Sequence, residues 1–276
     1  MGTENPVKAR PYWHIDAKWV AGLVLAVLLN MTLILSGLVV STEEEPTVEV
    51  LTMSTALLFS PNGLDDETEI ALLRAALAFS PDGTLQPIPG IAINVSAEEI
   101  EGLTPRQIRL HFFQKWAEVI YQDGVQGLAD LAGDAALKEQ ILQDGAAFNL
   151  LTQKTHDGLT LLYNFSIAAC LLMLVPLVVF SFRFGRLGSP GCVLFFASMP
   201  GALLFTLSGW LMRPDATPPD AAGLSGVLRY WGLDVLPTLA RTIDNSYLVF
   251  LGLGLCLMVL AGVLSIIWRL IRAVRQ

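Results

Sequence analysis

Four long apolar runs dominate the pattern of hydrophobic and polar positions along this chain of 276 residues. They occupy Trp19–Val40, Leu159–Phe182, Gly191–Met212 and Tyr247–Trp268. Each run has at least 22 residues and contains no Asp, Glu, Lys, Arg or His. A helix of that length rises about 33 Å, enough to cross the roughly 30 Å hydrocarbon core of a bilayer. The pattern predicts an all-α integral membrane protein with four transmembrane helices.

The first run also has a feature of secretory signal peptides, because basic residues precede it. It is longer than the apolar core of a signal peptide, however, and no A-x-A cleavage pattern precedes the acidic stretch Glu43–Glu45. We therefore interpret Trp19–Val40 as a membrane span. Asn30 and Thr32 lie in its middle, and both are expected to face other helices, since an unpaired polar group is costly in hydrocarbon.

The segment 41–158 between the first two runs has the pattern of a small, α-rich domain. Its central helix is predicted at Pro105–Gln122, with Thr104 as the N-cap and Pro105 at the first helical position. Further helices are predicted at Asp65–Phe79, Leu128–Ala132 and Ala135–Gln143. Thr47–Val50 and Ile91–Val95 have a weak strand pattern.

A second polar connection, 213–246, separates the third and fourth runs. It opens with three prolines and then contains Leu224–Leu236, in which Tyr230 and Trp231 stand among leucines and valines. This composition is typical of a helix that lies in the membrane interface. We expect this connection to pack against the 41–158 domain.

Charge is unevenly distributed along the chain. Residues 41–158 contain 19 acidic and 6 basic residues, a net charge of −13, whereas the whole chain carries −8. The segments 1–18, 183–190 and 269–276 carry three, two and three Lys or Arg residues. Because Lys and Arg accumulate in cytoplasmic segments, both termini are predicted to be cytoplasmic and the domain extracytoplasmic. The predicted location is the plasma membrane.

Histidine and acidic residues are the main candidates for chemistry. His111 lies on the predicted central helix near Lys115 and Glu118, and His156 with Asp157 borders the second run, where Asp144 or Asp234 could complete a metal site. The acidic groups Asp65–Glu69 and Glu43–Glu45 lack the D-x-D-x-D-G arrangement of a calcium loop. We interpret them as a helix N-terminus and a solvated linker, and both histidines as structural.

The three cysteines, Cys170, Cys192 and Cys256, all lie in apolar runs, so the domain has no disulfide framework. The sequence also lacks G-x-S-x-G, H-E-x-x-H, Walker and C-x-x-C motifs. No catalytic, cofactor-binding or metal-binding residue is therefore assigned.

These features favour a non-enzymatic, multi-pass membrane protein that acts as an accessory, assembly or partner-binding subunit through its extracytoplasmic domain. Its expected partners are the lipid bilayer and a membrane or extracytoplasmic protein. Nucleic acid is not expected, because phosphates need Lys and Arg for neutralisation.

Two alternatives remain open. The order of a long outer loop, a short inner turn and a shorter outer loop is similar to that of mechanotransmission ABC permeases, which implies a component of a transport system. The inner turn at Arg183–Ser189 is short for the coupling helix that such permeases use. The other alternative is an enzyme with its site at the junction of domain and membrane, using His111 or His156.

Overall fold

The computed structural model describes residues 13–60, 62–80, 83–86, 90–211 and 223–274. Nine α-helices are found within these ranges. They are α1 (Trp13–Ser41), α2 (Glu44–Phe59), α3 (Glu67–Phe79), α4 (Pro105–Asp130), α5 (Ala135–Asp144), α6 (Gln153–Val179), α7 (Gly185–Leu211), α8 (Gly223–Tyr230) and α9 (Leu236–Val274). The short strands β1 (Thr84–Leu85) and β2 (Val95–Ser96) form an antiparallel pair. The remaining elements are short 3₁₀ segments at Glu98–Ile100 and Ala146–Leu150 and a π turn at Trp231–Val235.

Four helical segments among the described residues are long and apolar enough to cross a membrane. They are Ile15–Ser41, Ala146–Val179, Gly185–Ser208 and Gly223–Val274. In the most apolar window of the second and of the fourth segment, only 11% of the residues are buried. So much uncovered apolar surface would be unfavourable in water, and it fits helices that have lipid around them. The structure thus has the character expected of an all-α membrane protein.

The chain divides into two compact units. The bundle unit comprises Met1–Ser36, Leu162–Leu207 and Ile243–Gln276. The domain unit comprises Gly37–Leu161 and Ser208–Thr242.

Side-chain hydrogen bonds join helices in the bundle unit. The amide of Asn30 in α1 donates to the carbonyl of Ala197 in α7 over 3.1 Å and accepts from the hydroxyl of Tyr247 in α9 over 2.9 Å. The hydroxyls of Thr32 in α1 and Ser166 in α6 lie 2.5 Å apart. Asn30 and Thr32 therefore face other helices, which confirms the prediction made from their positions in the first apolar run.

Glycines allow α7 and α9 to approach each other closely. A Cβ atom on Gly254 would lie 2.5 Å from the backbone nitrogen of Phe195, and one on Gly201 would lie 2.1 Å from Cε1 of Tyr247. Real Cβ atoms do not come so close, so only glycine fits at these two positions without a shift of the neighbouring helix. Small residues at helix interfaces serve this purpose in membrane proteins.

The domain unit has its core around α4. Trp116, Ala117 and Ile120 of α4 are buried with Leu51 and Leu57 of α2. The Thr104 hydroxyl accepts from the backbone N–H of Gln107, whose side chain bonds back to the Thr104 backbone, so α4 begins with a full capping box. This start is the one predicted from the sequence.

A glycine divides α4 into two helical stretches. Gly124 has φ 71° and ψ −173°, which is not a helical conformation, so the first stretch ends there, as predicted. The second stretch runs to Asp130; it covers part of the predicted short helix at Leu128–Ala132 but lies further towards the N-terminus. Val125 and Leu128 are buried and hold this second stretch against the core.

Two strand predictions also need correction. Thr47–Val50 belongs to α2, because Thr47, Val48 and Leu51 are buried at helical spacing against α4. Of Ile91–Val95, only Val95 belongs to a strand, while Ile91 forms an isolated bridge to Ala132. Alternation over four residues was too short a pattern to distinguish a strand from a buried helical face.

The connections between the later helices are short or helical. Only residues 180–184 separate α6 from α7, so the predicted turn at 183–190 is largely the first part of α7. The predicted interfacial helix at Leu224–Leu236 consists of α8, the π turn and the first residue of α9. As expected, this connection packs on the domain: the Trp231 indole donates to the Ser54 hydroxyl of α2 over 3.0 Å.

Candidate interaction surface

An open groove lined by aromatic and aliphatic side chains runs along the domain unit between the end of α2, α3 and α4. We call it the aromatic groove. Its volume is about 490 Å³, and it is lined chiefly by Phe59, Leu72, Leu73, Phe112, Phe113 and Trp116. Glu69 and Arg109 supply its charged groups.

Three rings define the floor and one wall of the aromatic groove. The ring of Phe59 stacks on that of Phe113, with centroids 5.9 Å apart and an interplanar angle of 14°. Phe113 and Trp116 meet edge to face with centroids 5.6 Å apart. Phe113 and Trp116 are buried in the core, whereas 52% of Phe59 is exposed. The groove is therefore a rigid aromatic surface with one open side.

Large apolar side chains stand uncovered at this groove. Leu72 and Phe59, which both line it, are 69% and 52% exposed. A single exposed apolar residue is ordinary, but several along one groove mark an interaction site more often than not. Aromatic side chains with one face held in a core are also the usual anchors of protein interfaces.

A buried arginine holds α3 against α4 at the groove. Arg109 of α4 is only 4% exposed and donates to the carbonyl of Leu64 over 2.5 Å and to Glu69 over 3.2 Å. Asp66 lies 4.0 Å from the same guanidinium and caps α3 by accepting from the backbone N–H of Thr68. That N–H, with weaker help from Arg109, lowers the pKa of Asp66. The acidic group at 65–69 is thus a helix N-terminus, as interpreted from the sequence.

His111 takes part in a surface cluster. Its Nε2 lies 3.0 Å from Oε2 of Glu99, and the Lys115 ammonium donates to the same oxygen over 2.6 Å. These two donors, Lys115 first, lower the pKa of Glu99. Lys115 also donates to the carbonyl of Asn94. The Glu99 partner replaces Glu118, the neighbour expected from helical spacing, and the cluster ties α4 to the segment before it.

His156 has hydroxyl neighbours on both ring nitrogens. Nδ1 lies 3.1 Å from the Thr42 hydroxyl and Nε2 lies 3.4 Å from the Thr160 hydroxyl. It shares no partner with His111. Within the described ranges, no group of three or more His, Cys, Asp and Glu side chains is placed to hold a metal ion. The side chain of Asp144 lies outside the described atoms, so its proposed pairing with His156 has no structural description.

Sequence patterning missed the aromatic groove, although a signal for it exists. Phe112 and Trp116 are four positions apart and share one face of the predicted central helix, while Phe113 lies one position beside that face and widens it. Phe59 comes at the end of an apolar stretch, directly before a Ser-Pro turn. A second apolar face on the central helix should have indicated a second packing surface.

Comparison with known proteins adds no family: no protein-family model matches the chain, and no match was found among curated proteins or solved structures.

Proposed function

We propose that this chain is a non-enzymatic, membrane-anchored subunit that recruits a protein partner through the aromatic groove of its domain unit. The observation that carries the proposal is the uncovered apolar lining of that groove, with Phe59 and Leu72 exposed over the buried rings of Phe113 and Trp116. A matching apolar helix or loop of the partner would cover these side chains, and each fully buried aromatic or leucine side chain contributes about 1.5–3 kcal/mol.

We further propose that the domain unit is extracytoplasmic. The net charge of −13 over residues 41–158 and the basic residues in 1–18, 183–190 and 269–276 support this orientation. Maleimide labelling in intact cells tests it, with Cys170, Cys192 and Cys256 replaced and one cysteine introduced at a time. A cysteine at Ala75 should react with an impermeant reagent, and one at Gln276 should react only after the membrane is opened.

The permease-like alternative has no specific support. Residues 180–184 are all that separates α6 from α7, which leaves no room for a coupling helix that could engage an ATPase. The alternative of an enzyme at the junction relied on His111 or His156, and each has its own separate set of polar neighbours.

Site-specific photo-cross-linking in native membranes tests the proposed function. A photoreactive amino acid at Leu72 should give a discrete adduct with one protein, because this side chain would lie inside the interface. The matched control is Ala71, which is exposed on the same helix but does not line the groove. Equal adducts at both positions, or none at Leu72, would contradict partner binding in the groove.

A further inference from the structure

A second groove, between α2 and α4, has a different character from the aromatic groove. It has a volume of about 570 Å³. Val48, Met53 and Leu110 give it an apolar floor, and Gln114 lies on the same side of α4 as Leu110 and Glu118. The lining residues of α4 recur every four positions, so they lie on one face of that helix and form one wall of the groove.

We call this second groove the acidic groove, because its rim carries four carboxylates. Glu44, Glu45 and Glu49 come from α2 and Glu118 from α4, and no Lys or Arg is among the described residues that line the groove. The three α2 carboxylates are exposed. Gln114 donates to Glu118 over 3.0 Å, which leaves the second oxygen of that carboxylate available. Carboxylates grouped on one rim give it a negative potential that attracts cationic groups.

Thr52 is an unpaired polar group beside the same groove. It lines the same groove and is only 8% exposed, and its hydroxyl has no hydrogen-bond partner among the described residues. Buried hydroxyls are nearly always paired, and an unpaired one costs about 1–3 kcal/mol. The neighbouring Thr55 bonds back to the carbonyl of Leu51, so an unpaired threonine is not a general property of α2.

We propose that the acidic groove binds a cationic amphipathic helix of a protein partner. Its apolar stripe would lie on Val48, Met53 and Leu110, and its Lys or Arg side chains would reach Glu45, Glu49 and Glu118. The walls span residues 45–53 of α2 and 110–118 of α4, each about 12 Å long, which matches roughly two turns of a docked helix. The inference does not depend on the aromatic groove, because the two surfaces share no lining residue.

Binding of a cationic amphipathic helix in the acidic groove can be measured directly with a synthetic peptide. The probe is a fluorescent Leu/Lys amphipathic helix of about four turns, titrated against the full-length protein in nanodiscs of neutral phosphatidylcholine, with empty nanodiscs as the blank. Glu45→Gln, Glu49→Gln and Glu118→Gln together should weaken binding at least about tenfold, because three charge pairs are lost. The matched control replaces Glu98, Glu101 and Glu139 by Gln, which removes the same charge elsewhere on the domain, and should stay within about twofold of wild type.

The outcomes separate the proposal from general attraction between opposite charges. Equal weakening by both triple variants, or no binding to the wild type, would overturn it. Displacement of the peptide by spermine at equal concentration would show that the groove recognises charge alone and would exclude the helix as its occupant.

Thr52→Val tests the unpaired hydroxyl with almost no change of shape. It should raise the melting temperature of the unliganded protein, because a buried unpaired hydroxyl is removed. It should also weaken binding of the peptide about threefold, because a contact with the peptide is lost. An unchanged peptide affinity would mean that Thr52 does not contact the bound helix and would overturn that part of the proposal.

Discussion

The helices of the domain unit pack mainly through large side chains, whereas those of the bundle unit are joined in addition by glycines, by hydroxyls and by the amide of Asn30. In the domain, Trp116, Ile120 and Leu51 fill the core. In the bundle, Gly201 and Gly254 lie where any Cβ atom would collide with the facing helix. The bundle also buries large side chains such as Leu33, Leu177 and Tyr247, but in the most apolar window of two of its segments only 11% of the residues are buried.

This difference reflects the solvent that each unit requires. A domain in water gains free energy by burying aromatic and aliphatic groups, so its large residues point inward. Helices in lipid gain nothing from hiding leucine, and they associate through close backbone approach and interhelical hydrogen bonds. Exposed apolar residues are therefore ordinary on the bundle, whereas those on the domain are the basis of the proposed binding surface.

The largest effect is expected from Gly201→Val in the bundle unit. The added side chain would overlap the ring of Tyr247, and relieving that overlap should cost more than about 3 kcal/mol. Gly252→Ala is the control, since a Cβ at Gly252 of α9 meets nothing within 4 Å. Thermal unfolding in detergent should show a large decrease in the melting temperature of Gly201→Val and no decrease for Gly252→Ala. Similar melting temperatures would mean that α7 and α9 do not approach as described.

Arg109→Met comes next and acts on the domain unit. It leaves the Leu64 carbonyl without its buried donor and removes the partner of Glu69, whose side chain is half exposed, so we expect a loss of about 1–3 kcal/mol. Arg106→Met is the control, because its contact with Asp65 is long, at 3.6 Å, and largely solvated. Chemical unfolding followed by tryptophan fluorescence would measure both. Equal losses would argue against a special role of the buried guanidinium.

A smaller effect is expected at the amide of the bundle unit. Asn30→Leu and Tyr247→Phe each break the 2.9 Å bond between α1 and α9. A double-mutant cycle should give a coupling of about 0.6–1.7 kcal/mol, the range for hydrogen bonds between membrane helices. Strictly additive effects would show that the two side chains do not interact.

The smallest expected effect is a dependence of the domain unit's stability on pH. The pKa of Glu99 is lowered from 4.5, first by Lys115 and then by His111, and those of Asp66 and Asp130 are lowered from 3.8. A carboxyl with a lowered pKa in the folded state contributes stability above its ordinary pKa, and this is lost as the pH falls through the lowered value. The domain should therefore become less stable below pH 4.5. Glu99→Gln should flatten this dependence in thermal melts, and an unchanged profile would contradict the assignment.

Much of the architecture could be predicted from residue patterns. The four apolar runs lie within helices α1, α6, α7 and α9 over nearly all their length, because an uncharged apolar stretch of this length is typical of a membrane-spanning helix and rare in a soluble fold. The start of α4 was predictable because Thr104, Pro105 and Gln107 specify it locally. The sequence predicted that Asn30 faces other helices, but it did not identify the residues that Asn30 contacts.

Features that depend on contacts distant in sequence could not be predicted. Gly124 signalled the break in α4, but the bounds of the stretch that follows it depend on the burial of Val125 and Leu128 against the core. The aromatic groove joins Phe59 to Phe113, residues more than fifty positions apart, and the acidic groove joins Glu49 to Glu118. Such surfaces exist only once α2 and α4 are packed side by side.

The most direct test of partner recruitment is the mass of the protein isolated from its native membrane in mild detergent. We expect the wild type to carry a bound protein beyond its own 29.9 kDa, and Phe59→Ser with Leu72→Glu to remove that protein while the chain stays folded. Native mass spectrometry can distinguish the two states. If wild type and variant are both single chains of 29.9 kDa, recruitment of a partner through the aromatic groove is contradicted.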